Sequence, residues 1–233
     1  MHKRYPNRLI AAIDTGDLAR ARDLAVLLGP SCGMLKFGLE FFLAHGPDAV
    51  ADLVGDHPFF LDLKLHDIPN TVAGAVRSVS RLRPTMLTLH ASGGTAMIEA
   101  ARNASEGSPS RTILLAVTVL TSFDDHALAV AGVAGGVRAQ ALRLGALAIE
   151  AGADGLVCSA HEVAPLRDLL GPGPVLVVPG IRPAGSPTYD QARTMTAAEA
   201  MVAGADYVVV GRPITHAPDP EAAAQAIATE IGR

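Results

Sequence analysis

The chain has 233 residues, 49% of them apolar and 18% charged, with no Trp and a formal net charge of −4. That length and composition fit one large α/β domain with a substantial core, and the acidic balance excludes a dedicated polyanion binder, which carries a basic stripe, so no nucleic-acid partner is expected. Cys32 and Cys158 stand far apart in apolar stretches; two lone cysteines cannot build a zinc site, and they read as buried free thiols of a protein in a reducing cytoplasm. The basic start of the chain holds only a short apolar run before Asp14, so no secretory signal is expected. The Ala/Gly/Val stretch 127–137 is too short and too glycine-rich to cross a membrane.

Short β-branched or leucine-rich runs alternate with alanine-rich helical segments almost to the end of the chain. Strands are predicted at 9–13, 34–37, 59–65, 86–90, 113–119, 155–158, 175–178 and 207–210. Helices are predicted to begin near Asp17, Leu39, Asn70, Gly93, Val137, His161, Thr196 and Pro220, and Asp17, Asn70 and Thr196 have the chemistry of N-caps or first-turn residues. Strand–helix pairs in this number and order predict a (β/α)8 TIM barrel, a single domain over residues 1–233 with its site at the C-terminal ends of the strands. The alternative is an open doubly wound sheet, but no G-x-G-x-x-G follows the first strand. No linker-like boundary interrupts the pattern. Two stretches, 124–136 and 180–192, exceed an ordinary connection, and the second, rich in Pro, Gly and Ser, reads as a lid.

The third strand opens the segment FFLDLKLHDIPNT. Period-two alternation puts Asp62 and Lys64 on one face and Leu61, Leu63 and Leu65 on the other. A carboxylate and an ammonium side by side are costly to bury without purpose, and Asp67 follows where the apolar run ends. Other strands also end on polar residues: Asp14 on the first, Lys36 on the second, His90 on the fourth, with Thr121 and Ser122 after the fifth. Each alone has an ordinary explanation. Asp14 can cap a turn, Lys36 can snorkel to solvent, His90 can be a hydrogen-bonded structural histidine, and Thr121 and Ser122 can be turn formers. His66 is expected to face outward. Four charges at the ends of three successive strands are harder to explain that way.

An anion site is expected at the other end of the chain. Gly180 and Arg182 follow the seventh strand, Gly211 and Arg212 the eighth, where barrels usually hold phosphate. Glycine lets backbone N–H groups approach an oxyanion, and arginine offers a two-pronged donor. Gln191, in the lid between them, can add a neutral donor.

Taken together, AAID, LKFG, DLKLHDIPNT, TLHASGG, VTVLTS, VPGIRP and VGRPI resemble the orotidine 5′-monophosphate decarboxylase family over the whole chain, in the family's order and approximate spacing. The resemblance implies decarboxylation of orotidine 5′-monophosphate to UMP and CO2, with no metal and no organic cofactor. It also implies a homodimer in which Asp67, Ile68 and Thr71 reach into the partner's site. Carried over residue by residue, Lys64 is the proton donor, flanked by Asp62 and the partner's Asp67. Asp14, Lys36 and Thr71 hold the ribose hydroxyls, Thr121 with Ser122 addresses the pyrimidine, and Arg182, Gln191, Gly211 and Arg212 hold the phosphate and its closing loop. Two alternatives stand beside this. One is a related 3-keto-gulonate 6-phosphate decarboxylase, disfavoured because such enzymes typically carry Glu where Asp62 stands and need Mg2+. The other is a phosphate-ligand sensor without catalysis, disfavoured because binding alone needs no such charge cluster.

Overall fold

The computed structural model describes residues 5–107, 111–183 and 195–232. Eight parallel strands follow one another in sequence order and close into a barrel, β1 pairing with both β2 and β8. The elements run β1 (Leu9–Ile13), α1 (Leu18–Leu28), β2 (Met34–Gly38), α2 (Leu39–Val54), β3 (Phe59–Leu65), α3 (Pro69–Ser80), β4 (Met86–His90) and α4 (Thr95–Glu106) in the first half. The second half runs β5 (Ile113–Val117), α5 (Asp125–Val130), α6 (Gly136–Glu150), β6 (Gly155–Val157), α7 (Val163–Leu170), β7 (Val175–Val178), α8 (Ala197–Val202), β8 (Tyr207–Val210), α9 (Arg212–Thr215) and α10 (Pro220–Glu230). This is the TIM-barrel architecture expected from the alternation of strands and helices.

Period-two alternation sorts the apolar residues into two cores. Ile10, Met34, Phe60, Met86, Leu115 and Val177 belong to the cluster inside the barrel. Their neighbours Leu9, Leu35, Leu61, Leu87, Leu114 and Leu176 belong to the outer cluster, packed against the helices. A one-residue slip of any strand would exchange the two sets, so burial on both faces fixes the register. The inward parity then continues upward onto polar residues: Ala12 leads to Asp14, Met34 to Lys36, Phe60 to Asp62, and Met86 to Thr88 and His90. The same alternation that fills the barrel therefore places charge at its C-terminal mouth.

Helix starts follow local chemistry. The Asp17 carboxylate accepts from the Ala19 and Arg20 amides, and Thr196 with Glu199 forms a capping box. α3 starts on Pro69, whose missing N–H costs nothing at a first helical position, and Asn70 falls in its first turn. Two strands are shorter than expected. The β5–β6 ladder ends at Val117 opposite Val157, leaving Val119 and Cys158 buried but outside the named strands. The glycine-rich stretch 124–136 also hides a short helix, α5, capped by Asp124, while Asp125 holds the Val137 amide of α6 at 2.7 Å. Residues 184–194, most of the expected lid, lie outside the described residues; the chain on either side is joined by a bridge between Ile181 and Met195. Both cysteines are buried and free, and burial pushes the Cys32 thiol up to about 12.

The N-terminal face of the barrel is held by two buried carboxylates in equivalent places. Asp154, just before β6, accepts from the Leu114 amide at 2.8 Å and pairs with Arg102 at 2.7 Å and Arg111 at 3.1 Å. Asp206, just before β8, accepts from the Leu176 amide at 2.8 Å and pairs with Arg167. The Arg167 guanidinium also donates to the Gly204 and Pro174 carbonyls at 2.9 and 2.7 Å. Each carboxylate ties the start of one strand to the neighbouring strand and to a helix. Asp206→Ala removes the partner of a half-buried arginine and of a strand amide together, so it should lower stability by about 3 kcal/mol. Urea unfolding should show this as a lower midpoint at unchanged slope.

Candidate active site

The C-terminal ends of the strands surround a cavity of about 470 Å³. Asp14, Lys36, Asp62 and Lys64 line it from the β1–β3 side, Thr121 lines it after β5, and Arg182, Gly211 and Arg212 line it from the β7–β8 side. Of the expected site residues, these are the ones one chain brings together.

The β1–β3 side is an alternating chain of charges. Lys36 Nζ lies 3.3 Å from Asp14 Oδ1 and 3.3 Å from Asp62 Oδ2, and Lys64 Nζ lies 2.8 Å from the same Asp62 oxygen. Lys36 does not snorkel to solvent; it is only 6% exposed. Burial would depress the Lys36 ammonium, but Asp62 and Asp14 outweigh it and hold its pKa above the ordinary lysine value. Burial would likewise raise Asp62, but Lys36 and Lys64, with hydrogen bonds from Lys64 and Thr88, hold it below the usual carboxylate range. An ion pair at such distances gains about 5 kcal/mol at an effective dielectric near 20, comparable to the several kcal/mol each ion loses in desolvation. Asp62 survives burial because it has two cationic partners. Gly38 makes room for this arrangement: a Cβ there would stand 2.9 Å from Asp14 Oδ1.

β3 departs from regular pairing where it delivers these charges. Leu61 pairs with Leu87 and Leu65 with Leu89, so three residues of β3 oppose Thr88 alone. Lys64 has φ of +48°, one of two positive values at non-glycine residues among the described residues, a conformation that costs energy and is held by its surroundings. Thr88 is fully buried and fills the gap. Its hydroxyl donates to Asp62 Oδ1 at 2.8 Å and accepts the Lys64 amide at 2.9 Å.

Around this core, Glu40 lines the cavity and accepts the Gly16 amide at 3.0 Å, while His45 Nε2 lies 2.7 Å from the Gly16 carbonyl. Together they fix the loop that follows Asp14. His66 is exposed, as expected, yet its ring meets that of His90 at 5.3 Å. Burial, then His66 and Lys64, lower the His90 pKa against the opposing pull of Asp62. On the far wall Arg182 is buried, its Nη1 donating to the Ile181 carbonyl at 2.8 Å, and Arg212 begins α9 directly after Gly211. The cavity is thus polar in a directed sense, with carboxylates and lysines on one wall and arginines on the other.

Other expected residues stand apart. Asp67, Ile68 and Thr71 are exposed at the start of α3 and do not line the cavity, and the Asp67 carboxylate accepts its neighbour Ile68's amide at 2.6 Å. Ser122 is exposed and outside the lining, whereas Thr121 is within it. Gln191 lies outside the described residues. Sequence reasoning missed Thr88, Glu40, Cys158 and His216. Thr88 had a readable signal, since it shares the inward parity of Met86 and His90.

The profile of the family described as "Orotidine 5'-phosphate decarboxylase / HUMPS family" matches residues 7–227. The chain is similar to the orotidine 5′-phosphate decarboxylase of Gluconobacter oxydans, 56% identical over 96% of this chain and 97% of that one. It is also similar to the one from Anaeromyxobacter sp. (strain K), 55% identical over 96% of this chain and 98% of that one. Among solved structures, the crystal structure of orotidine 5′-phosphate decarboxylase from Lactobacillus acidophilus superposes with a TM-score of 0.87 at 36% identity, covering 99% of this chain and 100% of that one. The chain belongs to the orotidine 5′-phosphate decarboxylase / HUMPS family.

Proposed function

We propose that the chain decarboxylates orotidine 5′-monophosphate to UMP and CO2, the last step of UMP synthesis, as one barrel domain with its site at the C-terminal strand ends. The observation that carries this reading is the Lys36–Asp62–Lys64 chain on one wall of a cavity whose opposite wall carries Arg182 and Arg212. Such a cavity suits a ligand with a dianion at one end and developing negative charge at the other.

Decarboxylation breaks the bond between C6 and the carboxylate, and its electron pair stays on C6. That orbital lies in the ring plane and gains nothing from the π-system, so the protein must stabilise a localised charge. A fixed Lys64 ammonium at that carbon does so electrostatically and then delivers its proton to C6, leaving an amine that solvent reprotonates. Asp62 orients the ammonium through the 2.8 Å contact. Its own charge opposes the substrate carboxylate and is relieved when CO2 leaves, a ground-state contribution. In this reading Asp14 and Lys36 hold ribose hydroxyls, Thr121 addresses the pyrimidine with Ser122 beside it, and Arg182, Gln191, Gly211 and Arg212 grip the phosphate. Binding energy from that remote grip can order the charge array for the reaction.

The exposed start of α3 supports a homodimer with shared sites. Ile68 is 66% exposed, while Val72, Val76 and Val79 further along the helix are buried. Asp67, Ile68 and Thr71 are thus presented outward, where a partner's cavity would receive them, and Asp67 would complete the partner's lysine–carboxylate array. No helix among the described residues is long and apolar enough to cross a membrane, and the buried free thiols suit a cytoplasmic setting.

Lys64→Ala should abolish turnover while leaving the circular-dichroism spectrum of the folded chain intact; appreciable residual kcat would remove lysine as the acid. Arg212→Ala should lower kcat/KM by about a hundredfold, as loss of a charged phosphate contact implies, and unchanged kinetics would refute the grip. Mixing Asp62→Ala and Asp67→Ala chains should restore activity, because one of the two shared sites in each heterodimer is then intact. Heterodimers demonstrated by mass but inactive would contradict donation of Asp67 across the interface.

A further inference from the structure

We propose that Thr88 is a positioning residue for this reaction: its hydroxyl ties the Asp62 carboxylate to the Lys64 backbone and so sets where the Lys64 ammonium stands in the cavity. The inference rests on the decarboxylase reading of the site and adds to it a residue that touches neither substrate nor the reacting atoms.

The geometry leaves the hydroxyl one arrangement. An ionised carboxylate only accepts and a backbone amide only donates, so Thr88 Oγ1 gives its proton to Asp62 Oδ1 at 2.8 Å and takes that of the Lys64 amide at 2.9 Å. The Lys64 amide lies in the stretch where β3 and β4 lose register, with three residues of β3 opposite Thr88. The side chain therefore replaces a missing ladder bond at the place where the backbone adopts φ of +48°. β-branching restricts the Thr88 χ1, its two hydrogen bonds fix the hydroxyl within that range, and complete burial keeps water from substituting for it. The other charged or titratable groups acting on Asp62 are Lys36 from β2, Lys64 on its own strand and His90 from β4. Among the described residues both lysines pair with Asp62 through Oδ2, while Thr88 holds Oδ1.

Thr88→Val keeps the shape and removes both hydrogen bonds, whereas Thr88→Ser keeps the hydroxyl. With orotidine 5′-monophosphate as substrate, Thr88→Val should lose about tenfold or more in kcat with little change in KM, as a small misplacement of a reacting group implies. Thr88→Ser should stay within about threefold of the parent chain because the hydroxyl remains. Losing the Thr88 donor should also raise the Asp62 pKa, so the acidic limb of kcat/KM should move to higher pH in Thr88→Val and stay in place in Thr88→Ser. If the valine variant does not fold, Thr88→Ala carries the same expectation. A kcat in Thr88→Val or Thr88→Ala within about twofold of the parent would overturn the proposal, since losing a hydrogen bond to a charged group costs more than that. A Thr88→Ser as impaired as Thr88→Val, with the same shifted limb, would overturn it too. A parent chain that releases no CO2 overturns the functional reading itself, whereas an active parent with indifferent variants overturns the role of Thr88 alone.

Discussion

Asp62 stands between two ammonium groups, and much of the mouth of the barrel depends on keeping it there ionised. A lone carboxylate this deeply buried would take up a proton, and a lone Lys36 would lose one. Held together at 2.8 to 3.3 Å, the three groups and Asp14 retain alternating charge, with Lys36 and Asp62 buried at the centre and Lys64 and Asp14 progressively more open to solvent. That array gives the cavity its polarity. It also explains local features with no other evident purpose: the glycine at 38, the irregular pairing of β3 with β4, and the strained backbone of Lys64.

The barrel makes such an array possible by dividing its labour. Its interior and outer cores are purely apolar along most of each strand, and buried carboxylates at the N-terminal face lock strands to helices through Arg102 and Arg167. The C-terminal face then carries the unfavourable charges. On the proposed reading one face serves stability and the other chemistry, the distribution that lets a barrel site tolerate strain.

Continuous apolar runs, the simplest signal in the chain, made most of this legible. Because each strand is buried on both faces, its run of apolar residues is continuous and its ends are sharp, so 9–13, 59–65, 86–90, 175–178 and 207–210 were readable almost residue for residue. Asp62, Lys64, Lys36 and Asp14 were readable because charge is conspicuous at the end of an apolar run. Thr88 shares the inward parity of Met86 and His90, but a threonine in a strand is ordinary, and its importance comes from a register change that needs both strands to be seen. α5 escaped because three glycines nearby mask a short capped helix. Asp67 shows a different limit. It stands three residues from Lys64 in sequence, yet it is exposed just before α3 and does not line the cavity of its own chain, and charge spacing alone does not reveal that separation.

The central claim is that fixed side-chain charge, without a metal, carries the reaction. The most direct test incubates the purified chain with orotidine 5′-monophosphate in EDTA while following the fall in pyrimidine absorbance and the CO2 released. The account predicts one CO2 and one UMP per substrate at a rate unchanged by the chelator. No CO2, or turnover that EDTA abolishes and Mg2+ restores, would contradict it.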